Sequence, residues 1–185
     1  MLVRYMRVFR LLREILSIAL AAGLSSCTAT NSSPSAKLDP EQIIGSVEPS
    51  SGQGSEATFA VRYSTSAGRV LREVRVLFNS DLDGRNACYV YYGRTENTFS
   101  LVDDAGLGSA RLAAGASGSL ENSQCRLDGE HSSAQVTGNA LTISLTLRFK
   151  SSFHGDKNIY LYAETADGWN SGLQSRGRWT VIAAR

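Results

Sequence analysis

Hydrophobic and polar residues alternate along most of the chain after residue 46. The clearest run is 141–149, where Leu141, Ile143, Leu145, Leu147 and Phe149 share one face and Thr142, Ser144, Thr146 and Arg148 share the other. A strict period of two marks a strand with one buried and one wet face. The same period groups Phe59 with Val61 and Tyr63, Val74 with Val76 and Phe78, and Ile159 with Leu161 and Ala163. Trp179 and Val181 are expected to close the core from the last strand. Turn-forming residues separate the runs at Ser66-Ala67-Gly68, Asp83-Gly84, Asp104-Ala105-Gly106, Gly138-Asn139 and Asp167-Gly168. After residue 45 no stretch carries a 3.6-residue apolar stripe. The pattern predicts an all-β fold, an antiparallel two-sheet sandwich of 7–9 strands over residues 46–185.

The front of the chain has a different pattern. Arg4, Arg7, Arg10 and Arg13 precede an uncharged apolar run, Ile15–Leu24, and Leu24-Ser25-Ser26-Cys27 follows it. About ten apolar residues are too few to span a bilayer, which takes ~20. Basic region, apolar run and small-residue end occur in the order of a secretion signal over residues 1–26. The box ending at Cys27 resembles that of bacterial lipoproteins. That resemblance implies cleavage before Cys27, a diacylglycerol on its thiol and an acylated new amino terminus, hence a membrane partner through Cys27. In that family Thr28, in place of an aspartate, implies the outer rather than the inner membrane. The alternatives are an ordinary signal with an incidental cysteine and a buried core helix. Residues 27–45 are polar and rich in Ser, Thr, Ala and Pro, and they read as a flexible tether, with Ile43 and Ile44 able to dock on the domain.

Removing residues 1–26 changes the charge. The whole chain has 19 basic and 17 acidic residues, and four arginines and one glutamate leave with the signal. The remainder stands at 15 − 16 = −1, so a nucleic-acid partner is not expected. Of three cysteines, the lipidated one leaves Cys88 and Cys125, and an oxidising envelope favours a disulfide between them. Two buried free thiols are the alternative. A zinc site lacks a second pair of ligands.

Several pieces of the body, among them Ser46–Gly54, Val76–Arg94, Leu120–Gly129, Lys157–Gly172 and Gly177–Val181, resemble an immunoglobulin-like module that recurs in secreted proteins of soil bacteria. The resemblance implies a sandwich with no known reaction and no established ligand.

Candidate chemistry is sparse. Asn79-Ser80-Asp81-Leu82-Asp83-Gly84 fits the opening of a calcium loop, but its twelfth position is Val90 rather than glutamate; an Asx-rich hairpin turn explains it equally. His131 and His154 stand alone in polar segments, without a nucleophile elbow, a zinc-protease helix or a phosphate loop. No catalytic residue, metal or cofactor is therefore assigned. Gly106 and Gly108 lack the third glycine and βαβ setting of a dinucleotide fingerprint. Tyr89 and Tyr91 alternate with Cys88, Val90 and Tyr92 and are expected to face outward together, and Trp169 lies in a turn. Exposed aromatic rings stack on sugars or anchor protein partners. Ordinary cross-strand pairing and a tryptophan folded over the sandwich edge are the plainer reading. The expectation for function is a non-catalytic recognition module, for a glycan or an envelope protein, on a lipid anchor. The alternatives are a structural subunit of an envelope complex and a small hydrolase.

Overall fold

The computed structural model describes residues 43–66 and 68–183. The predicted signal, Cys27 and the tether up to residue 42 lie outside the described residues. In chain order the strands are β1 (Ile43–Glu48), β2 (Ser51–Gln53), β3 (Glu56–Thr65), β4 (Leu71–Asn79), β5 (Cys88–Gly93), β6 (Thr98–Val102), β7 (Ser109–Ala113), β8 (Ser119–Glu121), β9 (Cys125–Thr137), β10 (Ala140–Phe149), β11 (Gly155–Thr165) and β12 (Gln174–Val181). A single 3-10 turn, Ser151–Phe153, joins β10 to β11.

The strands form two sheets, β1-β3-β10-β9-β8 and β2-β12-β11-β4-β5-β6-β7. This is an immunoglobulin-like sandwich, and its order is that of the variable type: β1-β3-β10-β9 occupy one sheet, and β12-β11-β4 carry the two extra strands β5 and β6 on the other. The inner faces are those the alternation predicts. Phe59, Val61, Val74, Val76, Phe78, Ile143, Leu145, Leu147 and Ile159 are fully buried, and Trp179 and Val181 close one side.

Three expectations need correction. The described residues hold twelve strands rather than 7–9, because β2 and β8 are only three residues long and β7 is almost wholly exposed, so none of the three leaves a period to read. The sandwich is not wholly antiparallel: β2 runs parallel to β12, with Trp179 opposite Gly52. The crossing from β1 to β2 carries the chain from one sheet to the other and reverses that pairing. The body also starts earlier than residue 46. Ile43 and Gly45 already pair with Thr65 and Tyr63, and Ile43 is buried, so residues 43–45 belong to the first strand and not to the tether.

Cys88 and Cys125 form a disulfide. They are the first residues of β5 and β9, so the bond joins the two sheets, and both are fully buried. In antibody domains the bond joins the two strands that correspond to β3 and β11; here those strands carry no cysteine and contribute Phe59, Val61, Leu161 and Ala163 to the shared core.

Candidate functional site

The outer face of the seven-stranded sheet is built around β4, β5 and β11. Cys88, Val90 and Tyr92 turn inward, so Tyr89 and Tyr91 turn outward, as the sequence predicts. They do not form a flat platform. Tyr89 is buried, and its ring meets that of Tyr91 edge-on at 76°, with centroids 4.7 Å apart. The reason is Leu77. It leaves the period of β4, sits on the outer face and is fully buried in a cluster with Ala87, Tyr89 and Val102. Tyr91, Tyr160 and Leu173 cover that cluster. Burial pushes the Tyr91 phenol well above its ordinary range.

Arg75 lies between two rings. Its guanidinium carbon is 4.5 Å from the centroid of Tyr91 and 4.5 Å from that of Tyr162. The register explains the stack, since Arg75 is directly opposite Tyr91 on one side and Tyr162 on the other. A cation over an aromatic face gains about 0.5–1 kcal/mol when exposed and ~2 when desolvated. Arg75 Nε donates to Glu73 Oε1 at 2.6 Å. Arg72 pairs with Glu164, and Tyr162 Oη donates to Glu164 Oε2 at 3.1 Å. Although partial burial acts to raise the Glu164 carboxyl, these donors hold it below the usual carboxylate range. The backbone carbonyl of Arg75 accepts from the Tyr63 hydroxyl, 2.8 Å away in the core, which fixes the strand beneath the stack.

Beside Tyr91 the face opens into a shallow cleft of about 370 Å³. Its lining includes Arg72, Glu73, Tyr91, Glu96, Ser100 and Arg111. A mixture of both charges with a partly exposed aromatic suits polar recognition rather than an apolar ligand.

Trp169 is elsewhere. It is half-buried in the β11–β12 connection and packs against the main core, with the Arg69 guanidinium 5.8 Å from its ring. It therefore closes the end of the sandwich and does not join Tyr89 and Tyr91 in one surface. Of the three aromatic candidates, the structure brings Tyr89 and Tyr91 together and leaves Trp169 apart. Sequence reading also missed Tyr160, Tyr162 and Arg75. The available signal was Ile159-Tyr-Leu-Tyr-Ala163, where two tyrosines hold the outward positions of a buried strand.

The remaining candidates are accounted for locally. His131 belongs to a bulge in β9, between residues 128 and 133, and is exposed, with Nδ1 3.1 Å from Asp128 Oδ2. The Thr146 hydroxyl beside it bonds to the His131 backbone carbonyl, and Thr58 Oγ1 is 2.9 Å from Thr146 Oγ1. His154 faces the Ser151 carbonyl at 3.1 Å. Among the described residues no group of three His, Cys, Asp or Glu could hold a metal ion. In the 79–84 turn, Asn79 Nδ2 donates to the Asp83 carbonyl, and the Asp83 carboxylate accepts from the side chain and backbone of Arg85. Those bonds pull the Asp83 pKa down to about 2. A depressed pKa adds stability above the unfolded value, and that stability is lost as pH falls through the folded one. A carboxyl NMR titration of Asp83 is expected to have its midpoint near pH 2. Arg85→Gln should return it toward 3.8, and an unchanged midpoint would contradict the assignment.

No family model matches the chain, and no curated protein matches it. Among solved structures it is similar to murine CRIg, at 14% identity and a TM-score of 0.40, over 78% of this chain and 99% of that one. The fold class rests on the strand order described above.

Proposed function

We propose that the chain is a lipid-anchored envelope protein whose sandwich is a non-catalytic recognition module for a protein partner. The binding face is the outer surface of the seven-stranded sheet around Tyr91 and Arg75. The observation that carries this reading is the ring–guanidinium–ring stack of Tyr91, Arg75 and Tyr162 bordering a cleft lined by both charges. Arg and Tyr anchors surrounded by polar residues are the usual makings of a protein-binding hot spot. The stack also holds the face in one shape before a partner arrives, which lowers the ordering cost of association. A glycan platform is the weaker reading, because Tyr89 is buried and the Tyr89 and Tyr91 rings are not coplanar.

Two outcomes test this. Envelope fractionation of the Cys27→Ser chain should move the protein from the membrane to the soluble fraction; retention in the membrane would remove the anchor. The full chain with Arg111→Glu should lose its co-isolated partner at least tenfold, with an unfolding midpoint within about 2 °C of the parent chain. Arg111 is exposed and forms no ion pair among the described residues, and surface substitutions of this kind usually change stability by less than about 0.5 kcal/mol. Undiminished co-isolation would contradict the proposed face.

A further inference from the structure

The seven-stranded sheet ends at β7, and this edge is open. Ala114 N–H donates to the Asn97 carbonyl and Asp103 N–H to the Gly108 carbonyl, with Leu112 opposite Phe99 and Ala110 opposite Leu101 between them. In an antiparallel ladder, bonded pairs alternate. These four pairs therefore face β6, and the N–H and C=O groups of Ser109 and Arg111 point away from the sheet. Neither finds a backbone partner among the described residues. Ala110 shares the inward side with Leu112 and is nevertheless exposed, although β8 of the opposite sheet comes close to β7. Unpaired edges of this kind are templates for another strand.

Arg111 sets the chemistry of that strand. Its side chain borders the cleft with Ser109, Ser100 and Tyr91, and it forms no ion pair among the described residues. If two copies paired along the whole of β7, Arg111 would face Arg111 of the second copy, and like charges directly opposite are destabilising. A carboxylate at the facing position reverses that sign. We infer that β7 is a docking edge for an extended segment of the protein partner, which adds as an eighth strand and places an Asp or Glu opposite Arg111. The inference rests on the reading of the adjacent face as a recognition surface. Ser109 and Arg111 supply four main-chain hydrogen bonds to the incoming strand, two per bonded pair. The facing carboxylate supplies register, and side chains on the same side of the added strand reach the cleft.

The test uses the full chain, labelled with 15N, and two capped heptapeptides at millimolar concentration, Thr-Val-Thr-Asp-Thr-Val-Thr and its counterpart with Lys in place of Asp. The Asp peptide should slow hydrogen exchange at the Ser109 and Arg111 amides at least tenfold. It should bind at least fivefold more tightly than the Lys peptide, and Arg111→Glu should reverse that order. Unchanged exchange at both amides, or equal binding of the two peptides, would overturn the inference. Shifts at Tyr91 without protection of Ser109 and Arg111 would overturn strand addition while leaving the recognition face intact. A dimer of the unliganded chain with these amides already protected would also overturn it, by making a second copy the occupant.

Discussion

Phe59→Ala is expected to destabilise the domain by about 3–5 kcal/mol, the usual cost of deleting a fully packed aromatic ring. Phe59 is fully buried at the middle of the sandwich. Its ring lies 4.8 Å from Phe78, 5.1 Å from Trp179 and 6.3 Å from Phe149, centroid to centroid. These neighbours belong to β4, β12 and β10, so the ring is shared by both sheets, and no single side chain can collapse into the void it leaves. Small domains have only about 5–15 kcal/mol of net stability, so this substitution removes a large fraction of it. Urea unfolding should show a lower midpoint with an unchanged slope. Phe59→Leu keeps most of the volume and should cost less than half as much. A loss below about 1 kcal/mol for the alanine variant would mean that the two sheets do not meet over Phe59.

Removing the disulfide is expected to have an effect of similar size for a different reason. Cys88 and Cys125 are 37 residues apart, and closing a loop of that length lowers the entropy of the unfolded chain enough to contribute about 4 kcal/mol. The bond also lies where β5 and β9 would otherwise separate most easily. β5 sits toward the β7 edge of its sheet, and β9 has only the three-residue β8 outside it. Cys88→Ala with Cys125→Ala should lower the unfolding midpoint by roughly 10–20 °C. The intact domain should resist reduction until it unfolds, because both residues are fully buried. A double variant within about 1 kcal/mol of the parent would contradict the role given to the bond.

The strands that form the core were legible because each has one wet and one dry face. In β10 the alternation holds from Leu141 to Phe149, and the burial follows it residue by residue. Other strands escaped for identifiable reasons. β7 is Ser-Ala-Arg-Leu-Ala, almost wholly exposed, so it has no dry face to reveal it. In β9 the bulge around Gly129, Glu130 and His131 shifts the register and breaks the period. The site was half legible. The outward direction of Tyr89 and Tyr91 follows from the inward direction of Cys88, Val90 and Tyr92. Their burial does not follow, because it depends on Leu77, Tyr160 and Leu173 arriving from two other strands and a loop. The place of Arg75 between Tyr91 and Tyr162 depends on strand register, which the sequence of one strand alone does not contain.

The recognition face is tested most directly by site-specific photo-cross-linking in intact envelopes. The full chain would carry p-benzoylphenylalanine in place of Thr95, exposed at the cleft beside Tyr91, or in place of Thr142 on the outer face of the opposite sheet. A discrete protein adduct is predicted from position 95 that disappears with Arg111→Glu, and no such adduct from position 142. Equal adducts from both positions, or none from position 95, would contradict the recognition face.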